Sequence, residues 1–233
     1  AGDMGEVSGE PRPLAALVAD ANRVPQIRME ADYTTLAEMV PSLIGDLYSY
    51  TTAGGDDAEA ASRALVPGAF TASLTTKSLG YTSLAWIAAQ TTERAAKTVG
   101  DPIAEATAEY VLAQTLLSKP GTVRASLTHS AGAADRLQSA LTSEAGLQLY
   151  GMLHLHAGLT TAVMGGDPTD HLAEATETAG RTEPHGTAFA LAFGQQNANI
   201  WRMSIALELR DGGKAIEASQ LVSPDTIPTE DRR

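Results

Sequence analysis

The stretch Ala157-Gly-Leu-Thr-Thr-Ala-Val-Met-Gly165 closes a helical pattern with a small residue and, eight positions later, a glycine. Three other segments end in the same way, at Ala72 to Gly80, Ala113 to Gly121 and Ser204 to Gly212. The glycines at positions 80, 121, 165 and 212 are 41, 44 and 47 residues apart. Small residues let neighbouring helices pack closely, and glycine readily adopts the left-handed conformation that ends a helix. The pattern therefore predicts a series of stacked helical hairpins.

Helical periodicity extends from these turns along most of the chain, while alternating Val, Ile and Thr patterns are missing. Pro41 is expected to kink its helix or to start it afresh. The helices are predicted over the segments Pro13–Arg23, Asp32–Tyr50, Ala58–Val66, Ala69–Leu79, Ser83–Val99, Pro102–Leu117, Val123–Ala140, Glu144–Met164, Thr169–Ala179, Asn197–Leu209 and Lys214–Leu221.

These hairpins predict an all-α fold, a right-handed superhelical solenoid of antiparallel helix pairs similar to tetratricopeptide repeats. Residues 1–12 are interpreted as a flexible leader, and residues 13–233 as a single solenoid domain for sensing or interaction. The period does not by itself separate this repeat from HEAT-like or other α-α repeats. A single irregular helical bundle is the other interpretation that the pattern leaves open.

The composition excludes several classes of function. The chain has no cysteine, so thiolate catalysis, disulfides and cysteine-based zinc sites are excluded. Sixteen basic residues against 28 acidic ones give a net charge of −12, which is unfavourable for binding DNA directly. The apolar runs are too short to span a membrane, and the first residues lack the basic and apolar parts of a signal peptide. A cytoplasmic protein with no membrane partner is the default expectation.

The sequence shows no motif for catalysis, and an enzyme is not expected. P-loop, G-x-S-x-G, H-E-x-x-H and G-x-G-x-x-G patterns are absent. His154 and His156 are two positions apart on a predicted helix, which turns their side chains about 200° apart and prevents shared metal binding. We expect one of them on the inner surface and the other packed or exposed. No metal and no cofactor are predicted.

The inner helices of a solenoid line a concave groove, and the repeat register nominates the residues that face it. The nominated positions lie three before and one after each small residue, with further positions one turn earlier. For Trp201 and Tyr110, packing between repeats is the alternative interpretation. Asn197 either caps its helix or directs its amide, both donor and acceptor, at a ligand. The predicted ligand-binding residues are Asn197, Trp201, His154, Tyr110, Gln114, Gly151 and Ser73.

Several blocks of the sequence resemble one family, the C-terminal, tetratricopeptide-like region of actinobacterial, Streptomyces-type transcriptional regulators that carry an N-terminal Cro/repressor-like helix-turn-helix. Phe193, Gly194 and Asn197 match its Phe-Gly-Pro-Thr-Asn-Val motif, and the intervening glutamines depart from it. The other similar blocks are Pro13–Arg23, Tyr33–Ile44, Leu84–Ala95, Gly100-Asp101-Pro102, Leu149–Leu155 and Ile227–Arg233.

The resemblance implies a sensory domain whose DNA-binding module precedes residue 1, or a relative that has lost that module. It also implies that relatives continue beyond Arg233 into more helices. The more distant peptide-pheromone receptors of Gram-positive bacteria hold an extended peptide partly through asparagine amides, which makes Asn197 the leading ligand contact. The expected partner is a peptide or small signalling molecule in the groove, with DNA bound only through the attached module and with a possible homodimer. The alternative is a protein-interaction scaffold without a small ligand.

Overall fold

A computed structural model describes residues 11–183 and 188–223. Within these residues the regular structure is helical, which confirms the all-α class. Two short 3-10 turns, Leu137–Ala140 and Ala188–Ala190, accompany the α-helices. The helices are α1 (Leu14–Met29), α2 (Tyr33–Ala53), α3 (Asp57–Ser78), α4 (Thr82–Val99), α5 (Pro102–Leu117), α6 (Val123–Arg136), α7 (Glu144–Val163), α8 (Thr169–Ala179), α9 (Gln195–Glu208) and α10 (Gly212–Gln220).

The helices pack in adjacent pairs, and most helices contact the next one along the chain. The odd-numbered helices also form a row, since α1 contacts α3, α3 contacts α5, α5 contacts α7, and α7 contacts α9. Helices α3, α5 and α7 have buried residues on nearly every side, as expected for the middle of the row. The odd helices therefore form the interior against which the even helices pack.

Helix α3 differs from the prediction of two helices, Ala58–Val66 and Ala69–Leu79. It runs without a break from Asp57 to Ser78 through Pro67. Proline removes one backbone donor, a cost of about 3 kcal/mol in a helix interior. Residues on both sides of Pro67 are buried, and Leu43 lies against Gly68. Burial of most residues between Ala61 and Thr75 stabilises the continuous helix, and Pro41 likewise lies inside an unbroken α2.

Three of the four predicted glycine turns are confirmed, because Gly80, Gly121 and Gly165 have φ of +86°, +80° and +75°. The fourth prediction is wrong. Helix α9 ends at Glu208, Arg210 takes the left-handed conformation with φ of 59°, and Gly212 begins α10. The turn is closed by the Asp211 N–H, which donates to the Ala206 carbonyl at 2.9 Å. The carboxylate of Asp211 then caps α10 by accepting from the Lys214 N–H, so the connection is shorter than the glycines suggested.

Arg210 gives a stability prediction, because a left-handed conformation costs an L-residue about 1–2 kcal/mol. Arg210→Gly should raise the free energy of unfolding by about 0.5–1 kcal/mol once the greater entropy of the unfolded glycine chain is included. Urea unfolding measures the difference. Gly80→Ala at the equivalent turn is the matched control and should change stability in the opposite direction. A loss of stability in Arg210→Gly would contradict the assignment of strain to this turn.

Parts of the predicted organisation lie outside the described residues. These are the first ten residues of the predicted leader and the similar block Ile227–Arg233. At the end of the predicted leader, the Arg12 guanidinium pairs with the carboxylates of Asp20 and Asp46, each at 2.8 Å. Tyr50 also donates its hydroxyl to the Arg12 carbonyl. Arg12 is thus attached to both α1 and α2.

Candidate functional site

A chain of aromatic rings crosses the row of odd-numbered helices. Phe70 of α3 lies 6.3 Å from Tyr110 of α5, measured between ring centroids. Tyr110 lies 6.0 Å from His156 of α7, and His156 lies 6.3 Å from Trp201 of α9. Four helices therefore contribute to one aromatic interior, and Tyr110 and Trp201 meet there through His156.

A cavity of about 520 Å³ opens beside this aromatic row. Four of the seven predicted ligand-binding residues line it, namely Tyr110, Gln114, Asn197 and Trp201. They come from α5 and α9, so the structure brings together two segments that are far apart in sequence. The remaining lining residues are Arg28, Tyr33, Leu74, Lys77, Ser78, Leu79, Met152 and Leu191.

Polar side chains on one wall of the cavity form a short hydrogen-bonded series. Lys77 donates from Nζ to Oε1 of Gln114 at 2.9 Å. Gln114 in turn donates from Nε2 to the hydroxyl of Tyr110 at 3.0 Å. Burial lowers the pKa of Lys77, since it removes water from around the ammonium group. Among the described residues no carboxylate pairs with Lys77, and its hydrogen-bond partner is the neutral amide of Gln114.

The amides at the start of α9 hold neighbouring backbone. Asn199 donates to the Leu221 carbonyl at 3.2 Å, and Gln196 accepts from the Ser223 N–H at 2.9 Å. Asn197 donates from Nδ2 to the Leu191 carbonyl at 3.2 Å. Gly194 is the N-cap of α9 and no side chain caps it, so Asn197 does not act as the cap. Its Oδ1 is buried and has no hydrogen-bond partner.

The backbone before α9 is strained, and side chains of two other helices hold it in place by hydrogen bonds. Phe189, Ala190 and Ala192 all have positive φ, between 49° and 56°. Such conformations cost of order 1–3 kcal/mol each and persist only where the surrounding contacts impose them. Here Arg28 of α1 donates to the Ala190 carbonyl at 2.6 Å, and Gln148 of α7 accepts from the Ala188 N–H at 2.8 Å. Together with Asn197, these contacts hold one wall of the cavity in place.

Three predicted site residues lie elsewhere. Ser73 is buried and donates to the Ala85 carbonyl of α4 at 3.0 Å. Gly151 lies under the ring of Phe193, which leaves no space for a ligand. His154 faces α8, with Nδ1 3.2 Å from Nδ1 of His171. Burial, followed by the nearby His171, lowers the pKa of His154 to about 4.

The predicted register holds for α5 and α9 and fails for α3 and α7. On α7 the lining residue is Met152, two positions before His154. Two positions turn a helix by about 200°, so the facing side reverses. The connections between hairpins differ in length, and each helix is rotated by its own packing. Spacing from a glycine therefore does not transfer from one helix to another.

Sequence reasoning missed three groups at the site. Lys77 and Arg28 line the cavity, and His156 lies behind Tyr110 and Trp201. His156 is fully buried, and both of its ring nitrogens have no partner. Burial, followed by the charge of Lys77, lowers its pKa to about 3. The two histidines of α7 do point to different sides, as their spacing predicted, but His156 is the one beside the cavity.

A second cavity of about 490 Å³ lies between α1, α3 and α5. Its lining includes one basic residue, Arg63, and one acidic residue, Asp101. None of the predicted site residues lines it. Over the described ranges no group of His, Asp or Glu is arranged to hold a metal ion. The cavity beside Trp201 is therefore the better candidate for a binding site, since aromatic walls and the buried Oδ1 of Asn197, which has no hydrogen-bond partner among the described residues, occur there together.

Comparison of the chain with protein-family models, with curated proteins and with solved structures gives no match. A search of the described helices for a membrane span finds none with the required length and apolar character.

Proposed function

We propose that this chain is the ligand-sensing domain of a transcriptional regulator, built as a tetratricopeptide-like right-handed solenoid. The row of odd helices with even helices packed against it supports this arrangement, since repeat hairpins stack on their neighbours, and α1 in addition contacts the turn Ala188–Ala190. The domain binds a signalling molecule in the cavity and changes the DNA affinity of an attached module. A net charge of −12 favours DNA contact through that module rather than through this chain.

The observation that carries the proposal is the meeting of Tyr110, Gln114, Asn197 and Trp201 around one cavity. Repeat spacing and the family resemblance nominate these four residues from the sequence alone. They supply aromatic faces, an amide pair and a buried acceptor without a partner. Such a mixture of apolar walls and a few convergent polar groups is typical of ligand pockets.

The size of the cavity favours a small signalling molecule over a long peptide. About 520 Å³ lies within the 300–1,000 Å³ range of pockets for drug-sized ligands. Leu191, which lies between the strained residues Ala190 and Ala192, lines the cavity, and Arg28 and Asn197 hold the carbonyls of Ala190 and Leu191. A ligand that contacts Asn197 would act on the same segment. Movement of this segment is the proposed link between ligand binding and the regulator's output.

A thermal-shift screen of small metabolites and di- and tripeptides tests the proposal. Compounds that bind this cavity should raise the melting temperature of the wild type and lose that effect in Asn197→Ala. Trp201→Leu should remove the effect as well, because it deletes an aromatic wall. Asn22→Ala is the matched control: it changes the same residue type in the second cavity, and should leave the shift intact.

The screen separates the competing functions. Shifts that survive Asn197→Ala and disappear in Asn22→Ala would assign binding to the second cavity. If no compound shifts the wild type and the chain instead forms a stoichiometric complex with a protein partner, it acts as an interaction scaffold. The melting temperature of each variant without added compound shows whether the substitution alone unfolds the domain.

A further inference from the structure

The charged side chains among the described residues that line the cavity beside Trp201 are basic, although the whole chain is acidic. Of the described residues that line it, Arg28 and Lys77 are cationic and none is Asp or Glu. The chain nevertheless carries 28 acidic residues against 16 basic ones. A partly buried ammonium group such as that of Lys77 attracts anions locally, even in a protein with a net negative charge.

Lys77 is the side chain that makes this arrangement unusual. Surface cations such as Arg63 and Lys97 pair with a carboxylate, Glu59 and Glu93 respectively. Lys77 has instead the neutral Oε1 of Gln114 at 2.9 Å. A partly buried ammonium group without a carboxylate lacks compensation for its lost hydration. An anion in the cavity would supply that compensation.

Asn197 adds a second requirement on the ligand. Its Nδ2 is used by the Leu191 carbonyl, and this fixes the orientation of the amide. Its Oδ1 is left as a buried acceptor without a donor. Leaving such a group unsatisfied costs about 1–3 kcal/mol, so a ligand N–H or O–H group that reaches it through movement of the segment at Leu191 would bind there favourably. The rings of Tyr110 and Trp201 offer apolar contact for the rest of the molecule.

Building on the proposed function, we propose that the cavity binds a small organic anion whose charged group pairs with Lys77. The same ligand donates a hydrogen bond to Oδ1 of Asn197 and lies against Tyr110 and Trp201. A carboxylate and a phosphate share the required charge, and both accept hydrogen bonds from an ammonium group. Competition by acetate and by inorganic phosphate distinguishes the two.

Collisional quenching of Trp201 tests the sign of charge in the cavity. The chain has two tryptophans, so Trp86→Phe leaves Trp201 as the single reporter. Relative to its quenching of the free model compound N-acetyltryptophanamide, iodide should quench Trp201 more efficiently than caesium at constant ionic strength, despite the net negative charge of the protein. Neutral acrylamide measures access without regard to charge. Trp201→Phe leaves Trp86, which lies beside Lys119 with 4.0 Å between the ammonium nitrogen and the ring centroid, as the reporter of a different cation.

Variants of Lys77 assign the effect to this residue. Lys77→Met should lower iodide quenching of Trp201 severalfold, and Lys77→Arg should retain it. Neither variant should alter quenching of Trp86, which excludes a general change of surface potential. The pair of variants separates loss of charge from loss of packing, since the arginine variant controls for folding. Equal quenching of Trp201 by iodide in wild type and Lys77→Met would overturn the role of Lys77.

Competition then identifies the anionic group. Acetate or inorganic phosphate should protect Trp201 from iodide, and acetamide, which matches acetate in shape without the charge, should not. Protection by acetate assigns a carboxylate ligand, and protection by phosphate assigns a phosphate ligand. Protection by neither, or equal protection by acetamide, overturns the proposal.

Acrylamide quenching distinguishes an open cavity that lacks anion selectivity from a cavity that is closed to all solutes. If acrylamide reaches Trp201 and iodide shows no preference over caesium, an open cavity exists and only the anion selectivity is wrong. If none of the three quenchers reaches Trp201, the cavity is closed to solutes, and the proposed sensing function fails with it.

Discussion

Gly151→Ala is expected to destabilise the chain by at least about 2 kcal/mol. A Cβ at position 151 would lie 1.9 Å from Cζ of Phe193, and 2.4 and 2.6 Å from the two neighbouring ring atoms. Phe193 is fully buried, so its ring cannot move outward. Either the ring or helix α7 must shift, and the start of α9 follows Phe193 directly.

Urea unfolding of Gly151→Ala and Gly45→Ala provides a matched comparison. Gly45 lies inside α2, where a new Cβ meets nothing within 4 Å, so alanine should stabilise by about 0.5–1 kcal/mol through helix propensity. The double variant Gly151→Ala with Phe193→Leu should be less destabilised than the sum of its single variants, because the smaller side chain gives space. Gly151→Ala with wild-type stability would contradict the close packing of α7 against Phe193.

Because His156 is buried in its neutral form, we expect the free energy of unfolding to decrease steeply in acid. Its pKa is about 3 in the folded chain, below its ordinary value of 6.5, because burial disfavours the charged ring. As the pH falls, His156 is protonated in the unfolded chain before it is protonated in the folded chain. The free energy of unfolding is therefore highest above pH 6.5 and decreases as the pH falls below that value. The loss from His156 is about 1.4 kcal/mol for each pH unit between these values, or roughly 2 kcal/mol at pH 5. His154, whose pKa is also lowered, adds a loss in the same direction.

His156→Leu should remove the His156 part of this pH dependence, whatever its effect on stability at neutral pH. The measurement is the free energy of unfolding in urea at pH 7.5 and pH 5, with the two pH values compared within each variant. An equal acid-induced loss in wild type and His156→Leu would show that His156 is not the buried neutral group described here.

His129 supplies a control of opposite sign. Its Nδ1 contacts the Glu109 carboxylate, which raises its pKa. The stability from this pair is present below pH 6.5 and is lost as the pH rises through the raised pKa of His129. His129→Gln should therefore cost more stability at pH 5.5 than at pH 9. Two histidine variants with opposite pH dependence would distinguish local burial from a general effect of acid.

The sequence predicted features that depend on short stretches of chain. Helical class follows from apolar periodicity, and the turns at Gly80, Gly121 and Gly165 follow from the low cost of positive φ in glycine. The same reasoning placed Gly212 wrongly, because Asp211 caps the next helix and Arg210 adopts the left-handed conformation instead. The conformational preferences of single residues predict that a turn occurs there. Which residue adopts the left-handed conformation depends on competing contacts such as the Asp211 cap.

The sequence alone thus determined that the chain is helical, that it is organised in hairpins, and that Tyr110, Gln114, Asn197 and Trp201 belong among the candidate contacts. Only the tertiary structure decided which face of each helix meets the cavity. It placed Lys77 beside Gln114, replaced His154 by His156 next to the aromatic row, and buried Gly151 under Phe193. The reason is physical: periodicity fixes the positions of side chains around one helix, whereas the rotation of that helix depends on packing against residues distant in sequence.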